Sequence, residues 1–182
     1  MIASLTLLGF ILIFSIPAAL VLIPFTVLTG NVTPLYRTSI WIVRTAYSLA
    51  GIRVVSEGRE NVPSNTACIF MSNHLSNLDP PALLPQIPGR TAAFFKQSLM
   101  KIPALGYAMR LAGFVPVSRD GSAQGAQESV AAARKVLESG VHITTFVEGT
   151  RSKDGRLLPF AIIPSVPHSE TGMHGAPVCI AR

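Results

Sequence analysis

Charge is scarce in this chain, and so is cysteine. Only 13% of the residues are Asp, Glu, Lys or Arg, about half the share in an ordinary soluble domain. The formal net charge is nevertheless +6. No dense Lys/Arg stripe and no recognisable binding motif accompany it, which sets nucleic acid aside as a partner. Cys68 and Cys179 are the two cysteines; they show no metal-ligand spacing, and a cytosolic domain would keep them reduced. No repeat or low-complexity segment occurs. With 182 residues the chain suits one domain around a single core and is too short for two ordinary ones.

Charge is missing altogether from Ile2 to Leu28, where seventeen residues are Leu, Ile, Val or Phe. At roughly 0.3 to 0.6 kcal/mol each they favour insertion into a bilayer by about 5 to 10 kcal/mol before polar and proline terms are subtracted. A cleaved signal peptide is not expected, because the start lacks Lys and Arg and the apolar run far exceeds the usual stretch. Pro17 and Pro24 imply kinks, so a straight span, a bent hairpin and a helix sunk in one leaflet all remain open. Past Gly30-Asn31, Thr33-Pro34 predicts a helix start with Thr33 as cap, running to about Ala50. Leu35, Ile40, Trp41, Val43 and Tyr47 with Arg37 and Arg44 suit the headgroup layer, though an ordinary core helix has the same composition. The basic residues after the apolar segment predict a cell (inner) membrane protein whose remaining chain faces the cytoplasm. Anionic lipid and phosphate-bearing substrates then become natural partners for the positive charge.

From Gly51 onward strand-like runs alternate with helical ones. Ile52 to Ser56, Cys68 to Met71, Thr91 to Phe95, Phe114 to Val117 and Val141 to Val147 read as strands. Leu99 to Ala112 and Ala123 to Ser139 read as helices, the second with Ser122 as a possible cap and Gly140 as its stop. The expected fold is α/β: an N-terminal hydrophobic membrane helix or two-helix membrane motif, then a mixed, largely parallel sheet with flanking helices. The expected divisions are membrane-associated helices at 1–50, a catalytic domain at 51–160 and an atypical segment at 161–182.

Polar residues collect where these strands end. Asn73-His74-Leu75-Ser76-Asn77-Leu78-Asp79 follows the run Cys68 to Met71 and turns toward a helix beginning near Asp79-Pro80. An imidazole titrates near neutrality, and a carboxylate on its other nitrogen sets the tautomer and stabilises the imidazolium formed when it takes a proton. His74 is thus a candidate base and Asp79 its orienter. Gly113 to Val117 leads through Ser118 to Arg119, and Phe146-Val147 leads to Glu148-Gly149-Thr150-Arg151. Loops leaving one edge of a parallel sheet gather over a common cleft. A guanidinium fork matches phosphate oxygens, and Gly149 lets backbone approach closely.

With Gly58-Arg59-Glu60-Asn61-Val62-Pro63 ahead of them, these blocks resemble the 1-acyl-sn-glycerol-3-phosphate (lysophosphatidic acid) acyltransferases of the wider glycerolipid acyltransferase family. The resemblance covers roughly Gly51 to Phe160. It implies His74 and Asp79 as catalytic residues, with Arg119, Glu148, Gly149, Thr150 and Arg151 binding the glycerol phosphate. Lys96 and Asn73 are further candidates. Blander roles stand beside these: Arg119 with Asp120 as a surface ion pair, Glu148 as a bracket for backbone amides, Lys96 as a solvated cation.

The chemistry implied is direct transfer of an acyl group from acyl-CoA or acyl carrier protein, a co-substrate rather than a cofactor, to the lysolipid hydroxyl, giving phosphatidic acid. Another lysolipid or glycerol 3-phosphate as acceptor, or a catalytically incomplete lipid-phosphate-binding protein, are the alternatives. Ser72, Ser76 and Cys68 lie in no nucleophile elbow, and a metal site on His74 and Asp79 lacks evident further ligands. The family pattern fails after Leu157-Leu158-Pro159-Phe160. There Ala161 to His168 carries no lysine and little helical periodicity, so the end reads as truncated or replaced and one sheet edge is expected to lie unpaired. His168 and His174 read as surface residues.

Overall fold

The structure is a computed structural model and describes residues 2–117, 123–152, 154–159 and 178–181. Helix α1, Ile2–Thr29, passes through Pro17 and Pro24 without interruption. At 1.5 Å per residue it is about 42 Å long, more than a hydrocarbon core of ~30 Å requires. Its segment Ser4–Thr29 has a mean hydropathy of 2.6, and most of its large apolar side chains, Leu20 and Leu28 among them, are exposed. The Thr26 and Thr29 hydroxyls donate to the Leu22 and Phe25 carbonyls at 2.7 and 2.8 Å, so the helix satisfies these polar groups within itself.

Gly30, at φ 70°, turns the chain into helix α2, Thr33–Leu49. Val32 rather than Thr33 occupies the cap position, and the Thr33 amide donates instead to Asn31 Oδ1 at 3.0 Å. Helix α2 folds back on α1, bringing Trp41 within 6.2 Å of Phe10 and 5.9 Å of Phe14, ring centre to ring centre. The N-terminal region is therefore a two-helix motif. Helix α2 also reaches the other way: Arg44 donates to the Pro85 carbonyl at 3.0 Å, and the Tyr36 hydroxyl accepts the Thr91 amide at 3.0 Å. It joins α1 to the α/β domain.

That domain contains strands β1 (Ile69–Ser72), β2 (Thr91–Lys96), β3 (Val115–Val117), β4 (His142–Phe146) and β5 (Val178–Ala181), in the order β3-β2-β4-β1-β5. Every pairing is parallel among the described residues. Helices α3 (Asp79–Leu83), α4 (Leu105–Leu111) and α5 (Ala123–Glu138) lie between them in the chain. Val115, Ala133 and Ile143 form the core between α5 and the sheet, and Cys68, Phe70 and Ile87 form a second cluster. Central β4 is buried from His142 to Thr145, as expected for a parallel strand covered on both faces.

Three expectations change. Ile52–Ser56 joins no ladder; the β1 edge is taken instead by β5, with Ile69 opposite Val178 and Ser72 opposite Ala181. The edge expected to lie unpaired is thus covered by the same tail segment. The predicted helix over Leu99–Ala112 is split into a 3-10 turn, Gln97–Lys101, and α4, because Pro103 cannot continue the first turn. His168, His174, Ser122 and the stretch after Pro159 up to Pro177 lie outside the described residues.

Candidate active site

Strands β1 and β4 are neighbours, yet the chain leaving β1 runs toward β2 while the chain leaving β4 runs toward β5. His74 follows the carboxyl end of β1 and Glu148 that of β4, so the two adjacent strands bring them to the same sheet edge.

Local hydrogen bonds close the His74 loop into a ring. Asp79, the first residue of α3, turns its carboxylate back so that Oδ2 accepts the Leu75 and Ser76 amides, each at 2.7 Å. The same oxygen lies 2.9 Å from His74 Nδ1. Burial pushes the Asp79 carboxyl up, but the Ser76 amide, the His74 ring and the Leu75 amide outweigh it and hold the group below its ordinary value. Asp79 is therefore a carboxylate at neutral pH and accepts the Nδ1 proton, which makes Nε2 the nitrogen with a free lone pair. The Tyr47 hydroxyl donates to the Leu78 carbonyl at 2.7 Å, tying the loop to α2.

Phe146, the last residue of β4, stacks on the imidazole with ring centres 4.2 Å apart and planes 23° apart. Glu148 is 2% exposed. Its Oε1 accepts the His74 amide at 3.3 Å and its Oε2 accepts the Leu158 amide at 3.4 Å. Ser152 donates its amide to the His74 carbonyl at 2.8 Å. Both backbone groups of His74 are thus held by the segment that follows β4.

Between those anchors, Gly149 has φ 63°, and its amide donates to the Phe146 carbonyl at 3.0 Å. Thr150 and Arg151 are exposed, and Arg151 immediately precedes the Ser152 clamp. Asn73 is half-buried beside Ser72, whose hydroxyl donates to the Asn73 carbonyl at 3.0 Å. Arg119 lies outside the described residues. Lys96 ends β2 and is exposed, lining a cavity of about 460 Å³ with Gln97, Ser98, Met100, Lys101, Arg110 and Val117. Phe146 and Ser152 as supports of His74, and Lys101 and Arg110 beside Lys96, are functional candidates that motif reasoning does not identify. Their proximity comes from strand pairing and from the turn at Pro103, neither of which leaves a spacing to read. Among the described residues, no group of three or more His, Cys, Asp or Glu side chains could hold a metal ion.

The fold and site together define an α/β protein with a histidine–carboxylate pair at the carboxyl edge of a parallel sheet. A sequence model of the Acyltransferase family matches residues 53–162, and the chain belongs to that family. Among curated proteins it is 36% identical over 127 residues to a chloroplastic 1-acyl-sn-glycerol-3-phosphate acyltransferase of Brassica napus, covering 68% of this chain and 36% of that protein. It is 32% identical over 112 residues to the human 1-acyl-sn-glycerol-3-phosphate acyltransferase alpha, covering 62% and 40%. The chain thus spans about two fifths of the length of these relatives. In fold it is similar to the crystal structure of the 1-acyl-sn-glycerophosphate acyltransferase of Thermotoga maritima. The TM-score is 0.77 and the identity 24%, over 97% of this chain and 70% of that one.

Proposed function

We propose that this protein is a membrane-bound O-acyltransferase that acylates 1-acyl-glycerol-3-phosphate, using acyl-CoA or acyl carrier protein, to give phosphatidic acid. The observation that carries the reading is the 2.9 Å contact between His74 Nδ1 and a carboxylate already fixed by two amides. In the step it supports, the lysolipid hydroxyl oxygen attacks the thioester carbonyl while His74 Nε2 takes the hydroxyl proton. The new C–O bond forms, the tetrahedral intermediate collapses with loss of the C–S bond, and the departing thiolate receives that proton from the imidazolium. No covalent acyl-enzyme is needed.

The acceptor is taken to be a lysophosphatidic acid because the curated relatives are named for 1-acyl-sn-glycerol-3-phosphate and because Lys96 and Arg151 follow β2 and β4 at the same sheet edge. Arg151, Arg119 and Lys96 are assigned to its phosphate, with Thr150 and Gly149 shaping the turn that carries Arg151. Glu148 acts through its amide bonds, holding His74 and the turn in register. The apolar α1, followed by Arg37 and Arg44 on α2, supports placement in the inner membrane with the catalytic domain on the cytoplasmic side.

The test is transfer of a labelled acyl group from a thioester to lysophosphatidic acid by the chain in detergent, beside its His74→Ala variant. General-base removal lowers the rate by about 10² to 10⁴-fold. Lysophosphatidylglycerol and glycerol 3-phosphate, offered in parallel, report the acceptor. Transfer at the parent rate by the variant would overturn the assignment of the base.

A further inference from the structure

The connection between the 3-10 turn Gln97–Lys101 and α4 has features that acyl transfer does not require. Residues 101–105 are all exposed, and three of them, Ile102, Pro103 and Leu105, are sizeable apolar side chains; Ile102 is 43% and Leu105 47% exposed. Water is an unfavourable surrounding for such a tip. The tip is also held stiffly. Ala104 has φ 60° and ψ −52°, the positive-φ geometry of a γ-turn, which L residues seldom adopt. The Leu105 amide closes a three-residue turn onto the Pro103 carbonyl at 2.6 Å, and the Gly106 amide donates to the Ile102 carbonyl at 2.9 Å. Gly106 packs so closely that a Cβ there would collide with the Met100 carbonyl.

Two observations name what covers the tip. The first is continuity with the apolar helix α1. Ala108 and Leu111 of α4 pack with Leu22 and Ile23 of α1 in one cluster. Leu105 stands one turn before Ala108 on the same stripe of α4, so the stripe that ends against α1 begins at the exposed tip. The second is charge. Lys101 precedes the tip, Arg110 follows it, and with Lys96 they line a cavity with no acidic residue in its wall among the described residues. Apolar side chains at a tip with cations directly behind it match the layering of a bilayer, acyl chains inside and phosphates outside.

We infer that the knuckle Ile102–Leu105 is a second membrane contact, separate from α1, that seats in an anionic bilayer with Lys101 and Arg110 on lipid phosphates. Because α2 and α4 already hold the domain against α1, this contact sets the rotation of the whole body at the bilayer. The same contact turns the sheet's carboxyl edge, where Lys96 and His74 lie, toward the lipid surface.

The experiment uses the full chain in phosphatidylcholine vesicles containing 30 mol% phosphatidylglycerol, with an environment-sensitive fluorophore on Ile102→Cys and, separately, on Gln127→Cys of α5. Unsubstituted chain treated with the same fluorophore supplies the background from its own cysteines. The expected result is a several-fold rise in emission with a blue shift, and quenching by brominated lipid, for the Ile102 label only. Lys101→Glu with Arg110→Glu abolishes most of that rise while the chain still floats with the vesicles through α1. A label at Ile102 that stays in water while the chain floats would overturn the proposal. So would loss of the rise on adding millimolar glycerol 3-phosphate, since the cations would then serve a soluble phosphate ligand. A rise of equal size on purely zwitterionic vesicles would overturn it as well, since Lys101 and Arg110 would then be reading no anionic lipid.

Discussion

Replacing Asp79 by Asn isolates the charge on which the proposed step depends. The side chain keeps its shape, and an amide oxygen can still accept the Leu75 and Ser76 amides that Oδ2 now accepts at 2.7 Å. The negative charge beside the imidazole is lost. A unit charge pair about 4 Å apart is worth about 4 kcal/mol at an effective dielectric of ~20. The two side chains are 17% and 30% exposed, so solvent screens part of this, leaving about 3 kcal/mol of imidazolium stabilisation. Because a tenfold change in rate corresponds to about 1.4 kcal/mol, kcat should fall by roughly 10²-fold. The charge acts only when the proton has moved, so KM for the lysolipid should change by no more than about threefold. Initial rates of labelled acyl transfer in mixed micelles, with circular dichroism confirming the fold, measure both. A variant that keeps kcat within about threefold of the parent, or loses only in KM, would refute the reasoning and leave Asp79 as a clamp for the loop.

Three further outcomes follow from the same geometry. Glu148→Ala removes the acceptor of the half-buried His74 and Leu158 amides, at about 1 kcal/mol for each hydrogen bond lost; denaturant unfolding should register the loss, and an unchanged midpoint would show that Glu148 is no bracket. His142 Nδ1 accepts the Cys68 amide at 2.9 Å, and burial lowers its pKa. The unfolded chain therefore binds the extra proton first as pH falls. The stability contributed by neutral His142 is complete above about pH 6.5 and declines below it toward the lower folded value, by at most ~1.4 kcal/mol per pH unit. Unfolding midpoints at pH 7.5 and 5.5 should differ in the parent and less so in His142→Gln; an equal slope in both would assign the effect elsewhere. Gly106→Ala pushes a methyl group into the Met100 carbonyl and should cost about 1 to 3 kcal/mol, as overpacking does; a melting temperature equal to the parent's would mean that the Gln97–Lys101 turn yields freely.

Much of the site can be read from residue order because its chemistry is local. Asp79 reaches His74 across one turn of chain, a spacing that any loop closed by the two intervening amides would show. Strand-like runs were legible at Thr91 and Val141 because β-branched and aromatic residues gather there, although β4 buries Thr144 and Thr145 as well as Ile143. Ile52 to Ser56 is equally apolar in pattern but joins no ladder, since the register of β1 gave its free edge to Val178–Ala181, more than a hundred residues away. Leu99 to Ala112 has helical spacing, but Pro103 and the close packing of Gly106 on Met100 break it.

The sequence by itself determined that an uncharged apolar helix precedes an α/β domain, and that a histidine, a carboxylate and a Glu-Gly-Thr-Arg turn follow its strands. Periodicity and short-range hydrogen bonding are properties of neighbours, and neighbours are written in order. Only the tertiary structure decided that Phe146 underlies the His74 ring, that Glu148 and Ser152 grip its backbone from β4, and that Lys101 and Arg110 meet Lys96 around one cavity. Those contacts depend on which strands pair and where the chain turns, and pairing is set by the burial of the whole sheet rather than by any local spacing.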